Sequence, residues 1–316
     1  MTTLRLHGLA PDNFLAFLVL LGALRALDEV RPEWQARAAW RGRPLRPELE
    51  LRADAGEADV AREIDEGLRR LTSGTDFGGH ADLKLSPPEF RALAQAAPPA
   101  TARLLPSLAS DGASAGKDEV GRTPLCLMFG SGHQHFLDRL AAVAATRQDP
   151  QAVEALAGAL FAPWRYERSA GDADGLSFRW DPMEDRRHAY QFGDPSKGRN
   201  KIGVVPGANR LAALGFAAFV CAPGSGGRLQ TAGVARKGRE VEFHWPLTRV
   251  PAGSRAVAAL LAHPALPDET RWAELDRLGV GWVVRCRRLQ EGKYFNVSPG
   301  RIVALDGAGP AGTDQA

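Results

Sequence analysis

LQTAGVARKGREVEFHW, residues 229–245, is the stretch that decides the fold class. Two short β-type runs, Leu229 to Val234 and Glu240 to Trp245, flank the turn Arg236-Lys237-Gly238-Arg239, the pattern of a hairpin. Downstream, residues 252–263 and 268–278 carry helical patterns. Val280 to Arg288 and Tyr294 to Val297 then predict a final hairpin around Glu291-Gly292. This last third reads β, β, α, α, β, β. Without a steady β-α-β rhythm, it predicts an α+β architecture with mixed or antiparallel sheets and interspersed helices.

The upstream sequence agrees. Leu4 and Leu6 alternate with Arg5 and His7 in a short first strand, and Pro11-Asp12-Asn13 offers turn and N-cap chemistry. An apolar helix follows from Phe14 to Val30, too short to span a bilayer and interrupted by Gly22 and Arg25. Trp34 to Trp40 and Leu45 to Leu51 form a hairpin across Arg41-Gly42-Arg43-Pro44. Residues 58–71 are an amphipathic helix, and 87–109 are helical in part, broken at Pro98-Pro99 and Pro106. The small, polar stretch Ala109 to Gly121 reads as a mobile loop, and Pro124 to Phe129 as a buried strand. Further helices are expected at 135–146, 151–160 and 208–219. Residues 1–306 form one large unit, with a possible subdivision near 109–121, and 307–316 are a disordered tail.

Composition is that of a globular protein: 316 residues, 44% hydrophobic, 24% charged, with a net charge of +3. Arg far outnumbers Lys, which suits phosphate contact but also follows from GC-rich codons. Cys126, Cys221 and Cys286 are far apart and form no CxxC pair, so neither a disulfide framework nor a thiolate metal site is expected. The opening MTTLRLHGLAPDN does not read as a signal peptide, and the unpaired thiols fit a reducing cytosol, so a cytoplasmic protein is expected.

Several stretches carry candidate chemistry. In Gly130-Ser131-Gly132-His133-Gln134-His135, a glycine-rich turn feeds a helix N-terminus, an arrangement suited to an anion. It lacks the GK[ST] of a phosphate-binding loop. His133, His135 and Asp138 do not fall at the spacing of known metal-ligand motifs. The segment Asp181 to His188 mixes Asp181, Glu184 and Asp185 with Arg186 and Arg187. The plain reading is a surface charge network that includes Arg179, and the other is a Mg²⁺ site. Lys197, Arg199 and Lys201 alternate in a Gly- and Asn-containing loop that could follow phosphates. Arg285 and Arg287 share one strand face near Lys293 and Tyr294, a pattern seen where sheets bind single strands. The tryptophans are scattered, as packing residues are. No nucleophile elbow, Cys–His pairing or dinucleotide fingerprint occurs, and no cofactor or metal is called for.

Several short pieces occur in a telling order. They are Leu6-His7-Gly8-Leu9 with Pro11-Asp12-Asn13, Leu15-Ala16-Phe17-Leu18, Leu21-Gly22-Ala23-Leu24-Arg25 and Gly130 to Phe136. Trp180-Asp181-Pro182, Asp194-Pro195-Ser196 and Gly207-Ala208-Asn209-Arg210-Leu211-Ala212 follow. Together they resemble CRISPR-associated proteins of type I-G (formerly I-U) loci, specifically their non-catalytic effector or accessory subunits. The large effector subunit of such systems is a much longer chain. The resemblance implies antiviral defence, contact with guide RNA or target DNA, and neighbouring CRISPR effector subunits as partners. Arg186, Arg187 and Arg210 join the candidate nucleic-acid contacts. The expectation is a nucleic-acid-binding or structural subunit that is not an enzyme. The alternatives are a metal-dependent nuclease or phosphohydrolase, and a purely structural interaction subunit.

Overall fold

In the computed structural model, the residues described are 1–114, 116, 118–128, 135–144, 150–168, 177–184, 203–291 and 294–305. The arrangement is α+β, with antiparallel pairing in every sheet observed. Strand β1 (Thr2–Arg5) precedes the central helix α1 (Phe14–Val30). Asn13 caps α1 by accepting a hydrogen bond from the Ala16 amide at 3.2 Å. Nearly every side chain from Phe14 to Leu27 is buried, as in a helix that is apolar on all sides. Strands β2 (Arg37–Arg41) and β3 (Arg46–Leu51) form the expected hairpin, and β1 adds to the other edge of β3.

Helix α2 (Glu57–Thr72) is amphipathic, with acids in its first turn and arginines in its last, each favourable to the helix dipole. Its Val60, Ile64, Leu68 and Leu71 face the core. Short helices α3 (Pro87–Ala96), α4 (Pro99–Ala102) and α5 (Leu105–Leu108) follow, split where the prolines predict. Residues 109–122 correct the expectation of a loop: β4 (Ala109–Ser114) pairs with β5 (Val120–Arg122). Small residues here serve close packing, since a Cβ on Gly121 would lie 2.7 Å from that of Ala113. Pro124 to Met128 also departs from expectation, forming turns although Leu125, Leu127 and Met128 are buried. The Thr123 hydroxyl accepts the Leu125 amide, and that local bond favours a turn over a ladder.

Helices α6 (Phe136–Ala144) and α7 (Pro150–Phe161) lead to the short pair β6 (Glu167–Arg168) and β7 (Gly203–Val204), then α8 (Pro206–Gly215). Strand β8 (Cys221–Pro223) pairs with β9 (Leu229–Thr231). The single strand expected at 229–234 is therefore broken. Gly233 sits at φ 68°, its amide donates to Leu261, and β10 (Val234–Lys237) leaves in a new direction to pair with β11 (Glu240–Thr248). After α9 (Ser254–Leu261) and α10 (Trp272–Arg277), β12 (Val280–Glu291) joins β11. Strands β13 (Tyr294–Val297) and β14 (Arg301–Ala304) return along the other edge of β12. Their registers differ by one residue around Ser298-Pro299-Gly300, a place where proline is tolerated in a sheet.

The inner face of this larger sheet covers α1. Phe14 stacks on Phe243 and, with Phe17, packs against Trp245. The Trp245 indole donates to the Pro11 carbonyl, and the Gly300 amide to that of Asp12, tying the last strands to the entry of α1. The smaller sheet is fastened to the segment that follows β11 by paired backbone bonds between Ala38 and Ala252. Among the described residues, no helix is long and apolar enough to cross a membrane.

Candidate functional site

Among the expected nucleic-acid contacts, Gly130, Ser131, Gly132, His133, Gln134, Arg186, Arg187, Lys197, Arg199 and Lys201 lie outside the described residues, as do Asp185 and the tail 307–316. Those that are described fall into distinct environments.

His135 precedes α6, and its Nδ1 lies 2.9 Å from Asp82 Oδ2. The other oxygen of Asp82 accepts the Phe136 amide at 3.0 Å, while the Ala81 carbonyl accepts that of Leu137. The helix end that the sequence offered to an outside anion therefore already holds a carboxylate of this chain. Sequence reasoning could not see this, because Asp82 is 54 residues away.

Arg210 is a correction. It is 6% exposed and its Nη2 meets Asp65 Oδ1 at 3.1 Å, joining α8 to α2. A buried guanidinium cannot reach a polyanion on the surface. The carboxylates Asp181 and Glu184 are a second correction, since both are buried rather than part of a surface network. Asp181 accepts from Asn13 at 2.8 Å, from the Tyr166 hydroxyl at 2.9 Å and from the Met183 amide at 2.9 Å. Glu184 is hydrogen-bonded to Ser177, whose carbonyl accepts from Arg139. Burial, with the charge of Asp181, pushes the Glu184 carboxyl up to about 8, against the Ser177 bond and the pull of Arg179 and Arg139. Arg179 itself is buried with φ at 63°, a backbone state uncommon outside glycine. Trp180 lies between Phe178 and Phe216 and donates to the Leu125 carbonyl. The cluster thus pins segment 177–184 to α1 and α6, with its polar atoms turned inward.

Arg285 and Arg287 do share one face of β12, as alternation requires. Each has an acidic neighbour: Arg285 pairs with Glu269, and Arg287 Nε lies 3.2 Å from Glu242. His244, cross-strand from Arg285, is buried, and burial lowers its pKa, so it adds no charge near neutrality.

The opposite face of the same strands ends differently. Arg236 on β10 and Arg288 on β12 lie at the rim of the core-facing side, and neither forms an ion pair among the described residues. Both guanidiniums have lowered pKa values, chiefly through burial, and Arg288 also feels the charge of Arg236. The Arg288 guanidinium sits 4.7 Å from the Phe295 ring centroid on β13.

No family model, curated protein or solved structure matches the chain. The site must therefore be read from its own chemistry. Two arginines short of counter-charge, beside a half-buried aromatic ring, can accept a phosphate with bidentate hydrogen bonds and hold a base by stacking. The sequence contained a usable signal. Arg236 pairs with the core residue Val241, and Arg288 with Val297, so strand parity puts both on one face, away from Arg285 and Arg287. What parity does not reveal is which arginines have carboxylate partners.

Proposed function

We propose that this chain is a nucleic-acid-binding subunit of a CRISPR-type antiviral ribonucleoprotein in the cytoplasm, contacting guide RNA or target DNA and other effector subunits, with no chemistry of its own. The observation that carries the binding reading is the Arg236–Arg288 couple, without an ion pair among the described residues, beside Phe295 at the end of the larger sheet. The CRISPR context rests on the order of short motifs from Leu6 to Ala212. The nuclease alternative loses support because Asp181 and Glu184 are buried and hydrogen-bonded within the chain.

The test is binding of single-stranded and duplex oligonucleotides across a salt series, with the chain alone and with partner subunits. Changing Arg236→Ala and Arg288→Ala together is expected to weaken all sequences alike. It should reduce the slope of log K against log salt by about 0.7–0.9 for each phosphate no longer neutralised. Phe295→Ala is expected to weaken single strands by about 1–3 kcal/mol per stacked base. Arg285→Ala with Arg287→Ala should have the smaller effect, and Lys197, Arg199 and Lys201 changed to Ala measure the loop. Absence of salt-sensitive binding in every format, or metal-dependent cleavage by the purified chain, would overturn the proposal.

A further inference from the structure

A second concentration of arginines lies along the C-terminal half of α1. A cavity of about 340 Å³ opens between α1, α8 and the start of α9. Arg25 from α1, Arg103 after α4 and Arg255 in the first turn of α9 all line it, and none of the three forms an ion pair among the described residues. We propose that this cavity is a binding site for a small phosphate-bearing molecule, held by Arg25, Arg103 and Arg255.

The volume falls within the range of small-ligand sites. Two acids, Asp28 and Glu29, share the lining, so the charge balance decides the argument. Asp28 is engaged by the Ser254 hydroxyl. Glu29 lies one helical turn from Arg25. Three guanidiniums against two carboxylates leave the lining net positive with both acids counted, and an incoming phosphate would offset that. Arg25 is the half-buried floor, its only hydrogen bond among those seen being a long one of 3.4 Å to the Leu214 carbonyl. Arg103 and Arg255 are exposed at the mouth, free to close on a tetrahedral oxyanion. The α9 N-terminus at the same mouth has Gly253 as its N-cap, so no side chain occupies its first amides.

Beyond Asp28 and Ser254 the lining continues into an apolar groove of about 770 Å³ containing Val250, Leu260 and Leu278. Val250 is 45% and Leu278 51% exposed, so a ligand with an apolar body next to its phosphate has a surface to cover.

The probe is inorganic phosphate, titrated against the full chain at constant ionic strength, with sodium chloride as the matched control. Binding is read by calorimetry and by thermal shift. The expected result is saturable binding to the wild type and an affinity lower by about tenfold or more for each guanidinium removed in Arg103→Gln and Arg255→Gln. Both positions are exposed, so the variants should fold, which circular dichroism checks. Because the sheet-end couple can also take a phosphate, the titration is repeated in the Arg236→Ala, Arg288→Ala background, where a saturable phosphate site that depends on Arg103 and Arg255 should remain. The proposal is overturned by phosphate binding no better than the chloride control, by equal binding in the Arg103 and Arg255 variants, or by loss only in the Arg236–Arg288 variant.

Discussion

Arg210, Asp181 and Glu184 share a lesson in charge: each looks like surface chemistry in the sequence and each is buried in the fold. A buried charge persists only where partners replace water, as Asp65 does for Arg210 and Asn13 and Tyr166 do for Asp181, whereas Glu184 beside Ser177 is pushed towards its neutral form. Glu184 gives this a measurable consequence. Its pKa in the folded chain is about 8, against 4.5 for an ordinary glutamate, so between those values the folded state keeps a proton that the unfolded state has released. Stability therefore falls as pH rises through that window. Glu184→Gln removes the titration and should gain on the wild type steadily from pH 5 to about pH 8, then level off. Urea unfolding at several pH values checks it, and parallel stability curves for the two proteins would contradict the assignment.

Glycines at the helix contacts set how the elements meet. A Cβ at Gly22 of α1 would lie 2.0 Å from the Leu211 carbonyl oxygen, and one at Gly215 of α8 would lie 2.0 Å from that of Leu18. The two helices thus touch backbone to backbone at reciprocal positions, and Gly67 brings α2 equally close to α1 at Ala26. Neither atom in such a contact is the tip of a flexible side chain, so a methyl group must separate the helices. Gly22→Ala is expected to cost about 1–3 kcal/mol or more, although alanine is the better helix former. Chemical denaturation measures this, and a neutral or stabilising result would mean that α1 and α8 can slide apart freely.

One hydrophobic cluster contains Leu6, the length of α1, Phe216, Phe243, Trp245 and Leu305. Residues from both ends of the chain thus bury the same helix, and Gly300 closes the circuit through Asp12. We expect one cooperative unfolding transition, with Trp245→Ala costing about 3–5 kcal/mol and shifting fluorescence and circular dichroism melts together. Two separated transitions, with only the later one moved by the substitution, would show that the larger sheet and the helices are independent units.

Local pattern was enough for the elements whose own residues define them. The apolar run with Asn13 before it specified α1, the prolines divided 87–108, and the alternation around Gly238 and Gly292 specified two antiparallel hairpins. It was not enough where the outcome depended on a distant partner. The 109–122 hairpin, the break at Gly233 and the turns after Thr123 came out otherwise than expected. Among the candidate contacts, sequence singled out Arg285 and Arg287 of the last sheet, but not Arg236 or Arg288, nor the state of any of the four. Arg285 and Arg287 are matched by Glu269 and Glu242, from other elements, whereas Arg236, Arg288, Arg25, Arg103 and Arg255 form no ion pair among the described residues. Residue type and strand parity are local properties of the chain. Whether a charge is buried, paired or left over is a property of the elements folded against it, and only the tertiary structure decides it.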